Sequence, residues 1–250
     1  MKELCPAEAL HEECGVFGIY DSTGKTNMVS AVYSALYALQ HRGQESCGIA
    51  INVDGVITGH RDLGLVNEVF TPQVMDGLPK GGKMAVGHVR YATTGAGERE
   101  NAQPLTIKYV KGTLAVVHNG IIENYGRLKE SLMKKGYTFE SDTDTEVLVK
   151  LIDSCYTGDP LAAIMAALAK VRGSYAIGVL FKDFPDEVFA VRKESPLIVG
   201  YGEGENFLAS DIPALLKYTR EYSILDEGDI AVLHRDGISF YNEFGQSVKK

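Results

Sequence analysis

A cysteine and a glycine stand directly in front of a short apolar run near the start of this 250-residue chain. The run covers residues 16–20, and its length and composition are typical of a buried strand. The 13 residues before Cys14 are polar and do not resemble a folded element. We therefore expect residues 1–13 to be a removable leader and residues 14–250 to form one domain that begins with this strand.

Removal of the leader would make Cys14 the N-terminal residue of the mature chain. A thiol has a pKa of about 8.5, so only a few per cent of it is thiolate at neutral pH. A free α-amine, with a pKa of about 7.7–8.0, could take the thiol proton and later return it to a leaving group. The alternative is that Cys14 is a small buried apolar residue at a strand start, as free cysteines commonly are.

Composition narrows the class of protein. A net charge of −8 argues against a nucleic-acid or anionic-membrane surface. No apolar stretch approaches the roughly 18 residues that span a bilayer, and the first residues lack the basic-then-apolar pattern of a signal peptide. The 4 cysteines (Cys5, Cys14, Cys47 and Cys155) show no CxxC pairing, so neither a zinc site nor a disulfide framework is expected. We expect no metal or cofactor and a reducing, cytoplasmic setting.

Strand and helix patterns alternate along the rest of the chain. Apolar residues at helical spacing predict a helix over residues 27–39, and Asp54-Gly55 predicts a hairpin. Further strand patterns lie at residues 84–89 and 104–117 and in several runs between residues 175 and 241. This succession predicts a layered α/β or α+β fold in one domain.

Three polar sites adjoin these predicted elements. Arg90 follows a strand, where its guanidinium could grip a carboxylate; the alternative is a surface salt bridge. The Asn119 amide and the Gly120 N–H could stabilise an oxyanion, although Asn-Gly is also the commonest tight turn. Asp142 and Asp144 precede a helix, where they would either cap it or bind an ammonium group. No histidine accompanies these acids at metal-ligand spacing.

Several motifs follow one another in an order that resembles the glutaminase domain of the class II glutamine amidotransferases, which are N-terminal-nucleophile hydrolases. They are Cys14-Gly15, Gln40-His41-Arg42-Gly43-Gln44-Glu45-Ser46, Gly87-His88-Val89-Arg90-Tyr91-Ala92-Thr93, His118-Asn119-Gly120 and Ser141-Asp142-Thr143-Asp144-Thr145-Glu146. The resemblance covers nearly the whole chain. It implies an α+β fold, a four-layer αββα sandwich with two mostly antiparallel sheets between helical layers.

The same resemblance implies a catalytic role for three residues. Cys14 would attack the side-chain amide carbon of L-glutamine, with its freed α-amine as general base. Asn119 and the N–H of Gly120 would form the oxyanion hole. Ammonia would leave, and water would hydrolyse the thioester on Cys14 to release glutamate.

Four further residues would bind or position the substrate. By resemblance, Arg90 would bind the α-carboxylate with Thr93 nearby, and Asp144 would bind the α-ammonium group. Arg42 would order the site or communicate with a domain that accepts the ammonia. A cation and an anion of this kind match the zwitterion of a free amino acid.

The acceptor of the ammonia is the least determined part of this interpretation. Four stretches of the first half resemble the amidophosphoribosyltransferases of purine synthesis: the leader, Gln40–Ser46, Gly64–Phe70 and Gly87–Thr93. From about Val117 onward the chain resembles the isomerizing glucosamine-6-phosphate synthases. We expect the amidophosphoribosyltransferase type, with the glucosamine-6-phosphate synthase type as the alternative. In either case we expect the ammonia acceptor to be a further domain or a partner subunit. An inactive regulatory or scaffold module with an uncut leader is another alternative. The sequence leaves the oligomeric state open, and a homo-oligomer is compatible with it.

Overall fold

The computed structural model describes residues 14–91, 97–109 and 112–250. The expected leader, residues 1–13, and the candidate substrate-binding residue Thr93 lie outside the described residues. None of the helices in the described ranges is long and apolar enough to cross a membrane.

Short strands dominate the described part of the chain. In chain order they are β1 Gly15–Asp21, β2 Ser46–Val53, β3 Val56–Leu63, β4 Met84–Arg90, β5 Leu105–Tyr109, β6 Gly112–Ile122, β7 Gly173–Phe181, β8 Val188–Lys193, β9 Ile198–Tyr201, β10 Glu205–Ala209, β11 Glu221–Ile224, β12 Ile230–His234, β13 Gly237–Tyr241 and β14 Ser247–Val248. They form two seven-stranded sheets, ordered β11-β9-β10-β1-β4-β2-β3 and β14-β13-β12-β8-β7-β6-β5. The pairings within both sheets are antiparallel.

Helices cover the outer face of each sheet. They are α1 Met28–Ala38, α2 Val66–Val69, α3 Pro72–Gly77, α4 Tyr125–Met133, α5 Asp144–Cys155 and α6 Pro160–Leu168. The first three pack with apolar residues of the first sheet, and the last three with apolar residues of the second. A third apolar cluster lies between the sheets. The predicted four-layer αββα sandwich is therefore confirmed.

Strand β1 shows how the sequence places residues in these layers. Side chains alternate across a strand, so Val16 and Tyr20 face the second sheet while Phe17 and Ile19 face α1. All four are fully buried, as an apolar run between two layers requires. The strand that follows Cys14 is thus held on both faces, and this fixes the position of the cysteine.

Local sequence signals set two other boundaries. The Asp54-Gly55 hairpin is confirmed, with φ values of 48° and 83° at the two positions, as a tight turn between β2 and β3 requires. Helix α5 begins at Asp144 with Thr143 as its N-cap, because the Thr143 hydroxyl accepts the Glu146 N–H. Capping therefore falls to Thr143 rather than to the two aspartates.

Candidate active site

Two strands of the first sheet, one strand of the second and the start of α5 converge on one cavity. β1 and β4 are antiparallel neighbours, which brings Cys14 beside Arg90. Gly120 of β6 and Asp144 of α5 line the same cavity, whose volume is about 170 Å³. The structure thus brings together residues that lie up to 130 positions apart in the sequence.

The Cys14 thiol lies against the backbone of Tyr91. The Tyr91 N–H donates to Sγ at 3.4 Å, and Sγ lies 3.9 Å from the Tyr91 carbonyl oxygen. Burial raises the pKa of the Cys14 thiol, and the Tyr91 backbone contact and the positive charge of Arg90 oppose this only in part. A thiol in this state needs a base to become a nucleophile.

Arg42 contacts the backbone of Cys14. Its Nε donates to the Cys14 carbonyl oxygen at 3.2 Å, and its Nη1 lies 3.8 Å from an Asp211 oxygen. The guanidinium is mostly buried and holds the residue that carries the thiol. This contact is consistent with the ordering role expected for Arg42.

Arg90 is buried rather than part of a surface salt bridge. Its Nη1 lies 2.6 Å from Oε2 of Glu45, and its side chain is 6% exposed. The other Glu45 oxygen accepts the Gly97 N–H at 2.9 Å. A guanidinium carries five N–H donors in a fork, so the contact with Glu45 is compatible with a second carboxylate in the cavity that Arg90 lines.

The Asn119-Gly120 pair lies within strand β6, opposite Ala176 and Tyr175 of β7, so the tight-turn alternative is wrong. Gly120 has φ +133°, and an added Cβ would lie 2.2 Å from the Ser174 carbonyl oxygen. Only glycine fits this backbone. In the described part of the chain, Nδ2 of buried Asn119 has no hydrogen-bond partner. An unpaired buried donor is costly unless a ligand oxygen accepts from it.

Asp144 is the first residue of α5. Its Oδ2 accepts the Ile122 N–H at 2.8 Å, which fixes the carboxylate beside β6. The side chain keeps 23% exposure and lines the cavity. Asp142 lines the cavity too, and its N–H donates to Asn101 Oδ1 at 3.3 Å.

Sequence reasoning missed a buried polar network formed by His88, Gln103, His118 and Thr145, of which all but His88 line this cavity. His88 Nε2 donates to the His118 carbonyl oxygen at 3.0 Å and so joins the two sheets. Desolvation lowers the pKa of His88 to about 3 and also lowers that of His118, although Asp144 opposes the second shift. These histidines occur in the quoted motifs, but nothing in their spacing indicates that their partners are buried and polar.

The cavity therefore offers a thiol, a buried cation and a carboxylate. Next to Gly120 in β6, Asn119 carries a buried amide donor with no partner among the described residues. In the ranges that the structure describes, no group of three or more His, Cys, Asp or Glu side chains is placed to hold a metal ion. The arrangement suits nucleophilic attack on an amide whose other end carries both charges of an amino acid.

The αββα layers with a cysteine at the start of the first strand define an N-terminal-nucleophile hydrolase fold. The chain belongs to the class II glutamine amidotransferases: the model of the glutamine amidotransferase domain family matches residues 88–217, just over half of its length.

Similar proteins include two glutamine–fructose-6-phosphate aminotransferases (isomerizing). The protein of Clostridium tetani is 45% identical over 240 residues, which is 95% of this chain and 38% of the relative. That of Aquifex aeolicus is 44% identical over 237 residues, which is 95% of this chain and 39% of the relative. The chain thus spans well under half the length of these curated relatives.

Among solved structures, the chain is similar to glutamine phosphoribosylpyrophosphate (PRPP) amidotransferase from B. subtilis. The TM-score is 0.81 at 32% identity, over 92% of this chain and 49% of that protein. The family and fold expected from the sequence are therefore confirmed. The amidophosphoribosyltransferase type is not, since the curated relatives described above carry the other name.

Proposed function

We propose that this chain hydrolyses the side-chain amide of L-glutamine to glutamate and ammonia through a thioester on Cys14. The observation that carries the proposal is the single cavity in which Cys14 lies with Arg90, Asp144 and Gly120. The unpaired Nδ2 of Asn119 supports it, because such a donor suits an oxygen that becomes negative during the reaction.

The reaction begins when the α-amine of Cys14, freed by loss of residues 1–13, takes the thiol proton. The thiolate attacks the amide carbon, and Asn119 Nδ2 with the Gly120 N–H stabilises the oxyanion. Collapse of the tetrahedral intermediate breaks the C–N bond, and the α-ammonium returns the proton so that ammonia leaves. Water then attacks the thioester, which releases glutamate and regenerates the thiol.

Recognition of the amino acid is divided between two charged residues that line the cavity. Arg90 binds the α-carboxylate, with Thr93 as an expected second contact, and Asp144 binds the α-ammonium group. Arg42 holds the carbonyl of Cys14 and so orients the nucleophile. Opposite charges at a fixed separation select a free amino acid over a peptide amide.

The ammonia is destined for an acceptor domain or partner subunit. An acceptor domain of the fructose-6-phosphate aminotransferase type is favoured by the 45% identity to the Clostridium tetani protein. The amidophosphoribosyltransferase type is supported by the first-half motifs and by the TM-score of 0.81 at 32% identity. Incubation with [amide-15N]glutamine and each purified acceptor domain would show which phosphorylated sugar gains the label.

We also infer a reducing, cytoplasmic setting. Cys14, Cys47 and Cys155 are free thiols, as is usual in that compartment. The glutaminase chemistry depends on this state, because a disulfide at Cys14 would remove the nucleophile.

The first test is the intact mass of the purified protein together with ammonia release from glutamine. We expect a mass lacking residues 1–13 and an activity that Cys14→Ala abolishes. If the leader remains, a form produced to begin at Cys14 takes the same assay. An inactive protein that begins at Cys14 would overturn the proposal and favour the regulatory-module alternative.

A further inference from the structure

The ladder between β5 and β6 ends just before the oxyanion residues. The last pair of this antiparallel ladder is Leu105 with Val116. If the ladder continued by two more residues, Gln103 would lie opposite His118. The chain leaves the sheet at Gln103-Pro104, and proline has no N–H to give to a ladder. His118 is buried, so its N–H and carbonyl oxygen need another partner on this side.

His88 Nε2 reaches the His118 carbonyl oxygen from β4. The side chain of Gln103 contacts both this carbonyl oxygen and the His118 N–H. Its Oε1 accepts the His118 N–H at 2.7 Å, and its Nε2 donates to the His118 carbonyl oxygen at 3.1 Å. The same Nε2 lies 3.2 Å from Oγ1 of Thr145. Gln103 is only 4% exposed, so water does not compete for these bonds.

These contacts reach both halves of the proposed site. His118 immediately precedes Asn119, and Thr145 immediately follows Asp144. Thr145 Oγ1 also lies 3.0 Å from Nδ1 of His118, which closes the connection between β6 and α5. One amide therefore links the backbone that carries the oxyanion donors to the helix start that carries the ammonium anchor.

We propose that Gln103 is a positioning residue for glutamine hydrolysis. Its side-chain amide replaces a missing strand partner and fixes the oxyanion hole relative to Asp144. This proposal rests on the function proposed above. Displacement of a reacting group by about 1 Å can cost on the order of 100-fold in rate. The oxyanion donors act in the transition state, so their displacement lowers kcat more than it raises KM.

Gln103→Met tests the proposal because it keeps the length of the side chain and removes all three hydrogen bonds. We expect kcat for ammonia release to fall about 10- to 100-fold, with KM within about threefold of wild type. Thr145→Val removes the contacts of the Thr145 hydroxyl with Gln103 and with the His118 ring, and it leaves the two hydrogen bonds between Gln103 and the His118 backbone. It should raise KM for glutamine and leave kcat nearly unchanged, because it loosens Asp144 and not the oxyanion donors.

Asn52→Leu is the matched control for loss of a buried amide. Asn52 Nδ2 donates to the Phe181 carbonyl oxygen at 3.2 Å, and its Oδ1 accepts the Gly55 N–H at 2.8 Å. Asn52 lies opposite Met84, at the other end of β4 from Arg90. This variant should lower Tm much as Gln103→Met does, with kcat and KM unchanged.

If Gln103→Met does not fold, Gln103→Glu takes its place. A buried carboxyl has a raised pKa, and its protonated form regains one donor. The ratio of its kcat to that of wild type should therefore rise as pH falls. A wild-type kcat in Gln103→Met, or in Gln103→Glu at neutral pH, overturns the positioning role while leaving the glutaminase proposal intact. An inactive wild-type protein that begins at Cys14 overturns both.

Discussion

The Arg90 side chain is buried against Glu45 with Nη1 2.6 Å from a carboxylate oxygen, and it also lines the cavity. A lysine at this position would keep the charge but lose the planar fork that grips a carboxylate with two parallel hydrogen bonds. In the recognition proposed above, the guanidinium geometry of Arg90, rather than its charge alone, determines how well glutamine binds.

We expect Arg90→Lys to raise KM for glutamine about 10- to 100-fold, because a hydrogen bond to a charged group is worth about 1.5–3 kcal/mol. Steady-state ammonia release measures this. Arg99→Lys is the control, since Arg99 Nε lies 3.6 Å from Asp62 and its side chain is 59% exposed. An unchanged KM in Arg90→Lys would show that Arg90 does not bind the substrate.

At the scale of elements, strand β6 requires a glycine at position 120. Gly120→Ala would place a Cβ 2.2 Å from the Ser174 oxygen at a φ of +133°. We expect kcat to fall at least about 100-fold, comparable with loss of an oxyanion donor, and Tm to fall as well. Kinetics and thermal unfolding together measure both effects.

Gly126→Ala provides the control, because Gly126 lies in helix α4 with nothing within 4 Å of an added Cβ. Alanine there should stabilise the helix by up to about 1 kcal/mol and leave kcat unchanged. Equal effects of the two substitutions would contradict the geometric argument for Gly120.

The structural elements that the sequence predicts are those whose signals come from residues close together in the chain. The Asp54-Gly55 turn and helix α1 follow from residues within a few positions of each other. Cys14, Arg90 and Asp144 each have an ordinary structural explanation beside the functional one, and it is the family motifs that favour the functional one. The contact of Gln103 with His118 depends on where the β5–β6 ladder ends, which no local pattern specifies.

At the scale of the whole molecule, buried His88 joins the two sheets through the His118 carbonyl oxygen. Its pKa is lowered to about 3 by desolvation, whereas in an unfolded chain histidine has a pKa of about 6.5. Between these values the unfolded chain binds a proton that the folded chain does not. The contribution to stability is therefore complete above about pH 6.5 and is lost as pH falls.

We expect the free energy of unfolding to fall on acidification below about pH 6.5, by up to about 1.4 kcal/mol per pH unit for each such proton. Urea unfolding between pH 7 and pH 4.5 measures this slope. His88→Gln keeps a donor for the His118 carbonyl oxygen but does not titrate, so its slope should be shallower. Equal slopes in the two proteins would exclude His88 as the source.

A thiol that stays protonated is a poor target for peroxide, because oxidation to sulfenic acid proceeds through the thiolate. Burial raises the pKa of Cys14 and raises that of Cys47 to about 12. In the mechanism proposed above, the sulfur of Cys14 is therefore shielded from oxidative damage between turnovers. It becomes vulnerable while its proton is drawn away for reaction.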